Sequence, residues 1–409
     1  MATDVVRTSD VEQLKDPMKG FTYSVVVCLS LFGYSGCSDL SKEDRRFEDI
    51  ITRVGSQYAP DSRTAVFGVS FARMNKGLAL TGEVDNIEAK KAVIDALSPF
   101  VKRVADNITV LPEARLGNQV WGIVRVSVAN MRRDPDESSE LLSQAIMGSA
   151  VKVLRESGDW CFIQTSDKYL GWMHQDSFVL CSRGELDLWI LSPKVVVLST
   201  YGTVREGANV RSGAVSDVVA GSLLKNVGAA GMWTEVALPD GRKGFVPNRD
   251  IFDYEAWKRK TQPTPDGIER IARSLLGVPY LWGGTSTKAM DCSGFAKTVY
   301  MLNGIQLNRD ANQQAEEGTP VAPGANFENL RKGDLLFFGR RAIEAKPEQI
   351  LHVVVYLKDR YFIHASGMVK INSLDPASPL FDPNKLRSFI CARRIFPAAP
   401  SASEVLSRR

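Results

Sequence analysis

The sequence predicts a multidomain fold: a small α+β N-terminal domain, two consecutive small β-barrels and a C-terminal α+β domain. Three observations predict it. The chain has 409 residues, too many for one core at roughly 100 to 200 residues per domain. Between Val120 and Val246 one order of short strands and turns is written twice. Beyond a polar, proline-containing stretch, helical periodicity gives way to strands. A composition of 44% hydrophobic and 24% charged residues is that of globular protein and excludes disorder beyond the ends. The net charge of +4 does not call for a nucleic-acid partner, and none is expected.

The N-terminus comes first in order. Residues 21 to 34, FTYSVVVCLSLFGY, form an apolar run preceded by Lys19 and closed by Ser35, Gly36 and Cys37. That is the layout of a secretory signal, and it is short for a bilayer span. Small residues before a cysteine resemble the lipobox of bacterial lipoproteins, which implies lipidation of Cys37, with Tyr34 where the strict pattern has Leu. The expectation is a leader and signal over 1–37 and a membrane contact through a lipid anchor. Asp4, Asp10, Glu12 and Asp16 make the first residues acidic, so Met18 is the better start for such a signal.

Residues 41–115 read as the small α+β domain, because GLALTGEVD (77–85) alternates as a strand, IEAKKAVIDALSPFV has helical spacing, and NITVLPEA is a further strand. The Gly-Glu-Val segment resembles bacterial BON modules. The first barrel is expected over 116–182 and the second over 183–257, each with a Trp-led strand and a closing Gly-aromatic strand, and Asp240-Gly241 marks a hairpin. NVRSG, DGRKGFVP and, more loosely, GDWCFIQTSDKYLGWM resemble bacterial SH3-like domains. KRKTQPTPDG (258–267) reads as a linker and 263–398 as the last domain, with a disordered tail over 399–409. No CxxC or metal spacing occurs, so no zinc is expected; Cys161 and Cys181 are expected as buried free thiols, the alternative being a pair across one small domain.

The chemistry sits in GVPYLWGGTSTKAMDCSGFAKTVYMLNG. Phe295, Val299 and Leu302 recur at helical spacing and Asn303-Gly304 stops the run, so Cys292 stands at the first turn of a helix. There the unpaired N–H groups and the helix dipole are expected to lower the thiol pKa. Of three histidines, His352 and His364 fall in LHVVVYL and YFIHAS. A turn at Lys358-Asp359-Arg360 is expected to set them opposite each other on adjacent strands. The arrangement is that of a nucleophile, Cys292, a base, His352, and an orienting group, His364. No metal site is expected, for want of a fourth ligand and an acidic base. His174, in WMHQDSF, reads as structural or exposed.

The segments YLWGG, DCSGF, LRKGDLLFF, HVVVY and IHASG, in this order, resemble the NlpC-type cell-wall peptidases, whose fold is papain-like. The resemblance covers the last third of the chain and implies the triad Cys292, His352 and His364, with Tyr280, Asp291 and Ser293 lining the substrate cleft. Together with two SH3-like domains it is similar to γ-D-glutamyl-L-diamino acid endopeptidases, which cut murein peptides. In some of these the first barrel walls off the cleft and acidic groups hold the free amine of L-Ala. That implies Asp291 and Glu140 as amine ligands and Tyr169 as a wall residue. No cofactor is implied, the partner is a murein peptide and the protein is expected to be a monomer in the cell envelope. The alternatives are a papain-like amidase or acyltransferase and a non-catalytic wall-binding protein.

Overall fold

The computed structural model describes residues 41–344 and 346–396. The expected signal with Cys37 and the expected tail over 399–409 lie outside the described residues. Described residues from Arg46 onward belong to one compact unit; of the other unit, Met1–Arg45, only the first turn of α1 and the residue before it are described. No helix among the described residues is long and apolar enough to cross a membrane.

The N-terminal elements are α1 (Lys42–Tyr58), β1 (Phe67–Met74), β2 (Gly77–Val84), α2 (Ile87–Leu97) and β3 (Val104–Val110). In α1, Phe47, Ile50, Ile51 and Val54 fall at i, i+3, i+4 and i+7 and are buried together with Leu78, Leu80, Val93 and Leu97. Asn86 starts α2 by accepting from the Glu88 N–H at 2.8 Å. β1 pairs antiparallel with β2, and α2 carries the chain over to a parallel β3. The sequence reading found β2, α2 and β3; α1 and β1 are additions.

The next seven strands are β4 (Trp121–Val124), β5 (Val128–Arg132), β6 (Leu141–Ile146), β7 (Ala150–Ser157), β8 (Trp160–Thr165), β9 (Leu170–His174) and β10 (Phe178–Cys181). Helix α3 (Arg183–Leu191), opened by a reciprocal Ser182–Glu185 cap, leads to β11 (Lys194–Val197), β12 (Tyr201–Arg205), β13 (Ala214–Val219), β14 (Leu223–Ala230), β15 (Trp233–Ala237), β16 (Lys243–Pro247) and β17 (Ile251–Asp253). The first set forms a sheet in the order β10-β4-β7-β8-β9-β5-β6, and the second runs β17-β11-β14-β15-β16-β12-β13. The second order is the first with every number raised by seven, so the repeat read in the sequence is a repeat of topology. Each sheet closes on its own apolar cluster, Val124, Met131, Val153 and Ile163 in one and Val197, Val204, Val236 and Val246 in the other.

Helix α4 (Tyr254–Lys260) ends the second sheet and α5 (Pro265–Ser274), capped by Thr264, opens the last domain. The non-helical connection is therefore residues 261–264, shorter than the linker read from composition, because Lys258–Lys260 continue one helix and Pro265 starts the other. There follow β18 (Thr285–Ser286), β19 (Ala289–Met290), α6 (Cys292–Met301), α7 (Ala311–Gln314), β20 (Thr319–Val321), β21 (Leu335–Arg340), β22 (Gln349–Tyr356), β23 (Tyr361–Ser366), β24 (Met368–Ser373), α8 (Pro383–Ser388) and β25 (Phe389–Arg394). The sheet runs β20-β25-β21-β22-β23-β24. Phe295, Val299 and Tyr300 of α6 pack on Val353, Val355 and Ile363, so the sheet and the Cys292 helix share one core.

Candidate functional site

Helix α6 begins at Cys292 because Asp291 caps it. Asp291 Oδ1 accepts from the Gly294 N–H at 2.7 Å and Oδ2 from the Gly283 N–H at 3.0 Å. The start of the helix lies so close to the preceding loop that a Cβ on Gly294 would meet the Gly284 carbonyl oxygen at 2.0 Å. Arg309 then forks onto the same carboxylate, with Nη2 2.6 Å from Oδ2 and Nη1 3.2 Å from Oδ1, while Nη1 also donates to Ser293 Oγ at 3.0 Å. The side chains of this ion pair are 2% and 8% exposed. With Ser293 Oγ also donating to Oδ1 at 3.2 Å, five hydrogen bonds from the protein itself fill this carboxylate, where the expectation was a group open to a substrate amine.

Cys292 is buried at 7% exposure, on the first residue of α6. The expected lowering of its pKa is not found. Burial removes the hydration a thiolate needs and Asp291 adds a negative charge beside it, so the thiol is pushed up to about 11. The Val353 and Ser293 N–H groups and Arg309 favour the thiolate but do not reverse the direction.

Asp359 and Arg360 both take positive φ in the turn between β22 and β23, and the resulting register pairs Val355 with Ile363. This puts His364 level with Val354, so His352 stands a diagonal step away and not opposite, a correction of the expected register. Diagonal neighbours are still within reach of long side chains. His352 Nε2 and His364 Nδ1 are 2.7 Å apart, and His364 Nε2 is 3.1 Å from Asn372 Oδ1 of β24. Asn372 Nδ2 donates to the Leu380 carbonyl at 3.2 Å, which orients the amide. The proton positions follow from donor and acceptor inventory. Asn372 Oδ1 accepts, so His364 carries its proton on Nε2 and accepts at Nδ1. His352 therefore donates from Nε2, and its Nδ1 keeps a bare lone pair, the state a base must have. Burial, then the Lys385 charge, holds His352 well below 6.5; burial brings His364 down to about 4 against the opposing Asn372 bond. Both rings are neutral at neutral pH.

A cleft of about 570 Å³ opens over Cys292 and Ser293. Tyr169, in the loop between β8 and β9, is 5% exposed and donates its hydroxyl to Asp310 Oδ2 at 2.9 Å on the cleft wall. Glu140 accepts from Trp282 Nε1 at 2.7 Å and pairs with Arg133, all three at the cleft. Tyr280 is half-buried, and burial together with the neighbouring Cys292 and Asp291 charges pushes its phenol up to about 12. The structure thus gathers Cys292, Asp291, Ser293, Tyr169 and Glu140 around one opening, while Tyr280 packs on the core cluster that holds Cys292 and does not line the cleft. His174 stands apart, with Nδ1 accepting from the Asp176 N–H at 3.2 Å. Cys161, Cys181 and Cys391 are free thiols. Sequence reading missed Asn372, Arg309, Asp310 and Arg63. Only Asp310 carried a local sign, the Asp-x-x-Gln pattern by which Asp310 and Gln313 cap α7 reciprocally.

Known proteins resemble two parts of this chain. Residues 277–385 match the NlpC/P60 family, and residues 131–178 match the bacterial dipeptidyl-peptidase SH3 domain. The chain is 29% identical over 275 residues to dipeptidyl-peptidase 6 of Lysinibacillus sphaericus, covering 63% of this chain and 93% of that protein. It is 26% identical over 317 residues to a gamma-D-glutamyl-L-lysine dipeptidyl-peptidase of Bacillus cereus, covering 75% and 91%. The crystal structure of an NlpC/P60 family protein from Bacillus cereus has the same fold at a TM-score of 0.59 and 24% identity, over 68% of this chain and all of that one. The chain carries an NlpC/P60 peptidase domain together with a dipeptidyl-peptidase SH3 domain.

Proposed function

From that pairing of an NlpC/P60 peptidase domain with a dipeptidyl-peptidase SH3 domain, we propose that the protein is an endopeptidase of the cell envelope that hydrolyses the γ-D-glutamyl-L-diamino acid bond of murein peptides with a free N-terminal L-Ala. The observation that carries the reading is the relay from Asn372 through His364 to His352, whose bare Nδ1 belongs to the strand that also presents the Val353 N–H to the Cys292 sulfur. Because thiol and imidazole are both neutral, the proton leaves Cys292 as the sulfur attacks. His352 Nδ1 takes it, the sulfur bonds the γ-carbonyl carbon, and collapse of the tetrahedral adduct expels the diamino acid's amine, which receives the proton from His352. Water, deprotonated by the same nitrogen, then opens the thioester and restores the thiol.

Tyr169, Glu140 and Asp310 close the cleft on the side of the first barrel. They, and not Asp291, are the groups that would receive the substrate's ammonium. Incubation with L-Ala-γ-D-Glu-diaminopimelate and L-Ala-γ-D-Glu-lysine, free and N-acetylated, with fragments identified by mass, tests the reading. The expected product is the L-Ala-D-Glu dipeptide, from free peptides above all, and Cys292→Ala should abolish it with the fold intact. Turnover by the alanine variant, or cleavage at another bond, would refute the assignment.

The apolar run ending at Cys37 supports export and a lipid anchor on that cysteine. Cys37→Ser should then move the protein from the membrane to the soluble fraction, since acyl chains supply the attachment; unchanged retention would reject the anchor.

A further inference from the structure

The cleft also receives a loop from the N-terminal domain. Ser62 and Arg63, between α1 and β1, line it alongside Tyr169 and Asp310. The loop is fastened on both sides of its tip. The Arg63 carbonyl accepts from the Leu170 N–H at 2.8 Å, the Thr64 carbonyl accepts from Gln164 Nε2 at 2.9 Å, and Asp61 Oδ2 accepts from Gln313 Nε2 at 2.7 Å. The guanidinium is fastened as well. Arg63 Nε and Nη2 fork onto Asp61 at 2.9 and 2.7 Å, which leaves Nη1 for Asp310 Oδ2 at 2.7 Å and Asn312 Oδ1 at 2.9 Å. Asp310 Oδ2 is the oxygen that Tyr169 also bonds. One carboxylate therefore joins the N-terminal domain, the first barrel and the domain that carries Cys292.

This placement sets a length limit. Arg63 is a third exposed, so it faces the space a ligand would enter, yet its fork onto Asp61 keeps it from swinging aside without the loss of several charge-assisted bonds at once. A peptide whose first residue reaches the Tyr169–Asp310 wall has its amine beside Arg63. Any group attached to that amine would have to stand where Arg63 stands. Resting on the murein-peptide reading above, we infer that Ser62 and Arg63 of the N-terminal domain form the end wall of the substrate site, and that Arg63 is a specificity-determining residue that rejects peptides extended beyond their first amine.

The test compares kcat and KM of the full-length protein on L-Ala-γ-D-Glu-diaminopimelate and on the same peptide carrying one extra Gly at its N-terminus. In Arg63→Ala the preference for the shorter peptide should fall roughly tenfold or more, the size of effect a shape change in a pocket produces. The change should come through KM of the extended peptide. Arg63→Lys keeps one charge but cannot fork, so its preference should lie between the two. A merely structural arginine would lower turnover of both peptides in equal proportion, and an unchanged ratio overturns the inference. Should Arg63→Ala fail to fold, Ser62→Trp adds bulk at the same wall without touching the ion cluster. It should raise KM of the shorter peptide at least about fivefold, within the range a few atoms in a pocket command, and no rise overturns the inference. A wild-type protein inert on both peptides refutes the murein-peptide reading itself and the inference with it, whereas an active one with an unmoved ratio refutes the inference alone.

Discussion

The bare nitrogen of His352 depends on an asparagine in another strand. Asn372 points its oxygen at His364 because its amide nitrogen is engaged by Leu380, and every proton position along the relay descends from that bond. His364→Ala should therefore lower kcat roughly 100-fold, within the usual worth of acid–base catalysis, with KM little changed. The pH profile carries the same logic. In the proposed mechanism His352 acts only when neutral, and its folded pKa lies well below 6.5, so activity should persist through mildly acidic pH and be lost as pH falls through that lowered value. On the alkaline side the thiol, pushed up to about 11, stays protonated through neutral pH, so alkylation of Cys292 by iodoacetamide should climb steadily from pH 7 to pH 10. A plateau of alkylation reached already at pH 5 would instead mean a preformed thiolate–imidazolium pair and would sink the neutral-pair mechanism. Cysteine and histidines were legible in the sequence because their types are few and their surroundings periodic. Asn372 and Arg309 were not, because neither strand register nor a buried guanidinium can be read from neighbouring residues.

Elements were legible where a local signal agreed with the final environment. Helix α6 has its apolar spacing, its Asp291 cap and its Asn303-Gly304 stop in one stretch. Likewise β21, β22 and β23 read as strands because the middle of the sheet buries both faces and demands continuous apolar runs. Elements that depend on distant partners were missed. Strand β25 lies between β20 and β21 with Leu335 opposite Arg393, and a segment carrying Arg393 and Arg394 gives no alternation strong enough to announce that place. Strand β1 is an edge with no fully buried residue, so half-burial left its pattern faint. Helix α3 is a different case. Ser182 and Glu185 are a readable capping box, but they fall where the second barrel is expected to begin, and the helix stands between the two sheets. The diagonal placing of the two histidines has the same origin: two residues of positive φ in the turn shift the register, and neither is glycine.

At the scale of the whole molecule the helix that carries Cys292 is tied directly to the first barrel. Lys297, on the face of α6 opposite the core, reaches Asp167 at 2.8 Å and the Leu307 carbonyl at 2.5 Å, and the two charged side chains are 15% and 9% exposed. Thr285 adds bonds to Gln144 at 2.9 and 3.1 Å, and Lys288 reaches Ser127 at 2.9 Å. None of these could be foreseen from the sequence, since Asp167 and Lys297 stand 130 positions apart. Burial alone would raise the Asp167 pKa, but the Lys297 charge and hydrogen bond outweigh it and hold the group below 3.8. The sign of the linkage follows: the pair stabilises docking at and above the ordinary carboxylate range, and the contribution is lost as pH falls below 3.8 through the lowered folded value. At neutral pH, Asp167→Asn leaves the Lys297 ammonium buried without its counter-ion, which should cost about 3 kcal/mol. The urea midpoint of the first unfolding transition should drop accordingly, and turnover should fall with it, because Tyr169 and Glu140 reach the cleft on the same barrel that Asp167 anchors. Replacing both partners, Asp167→Leu with Lys297→Met, removes the unpaired charge along with the pair and should restore most of the lost stability. If the single variant loses less than about 1 kcal/mol, the value of an exposed pair, the barrel is held by its apolar and backbone contacts, and the closed end of the cleft does not depend on this ion pair.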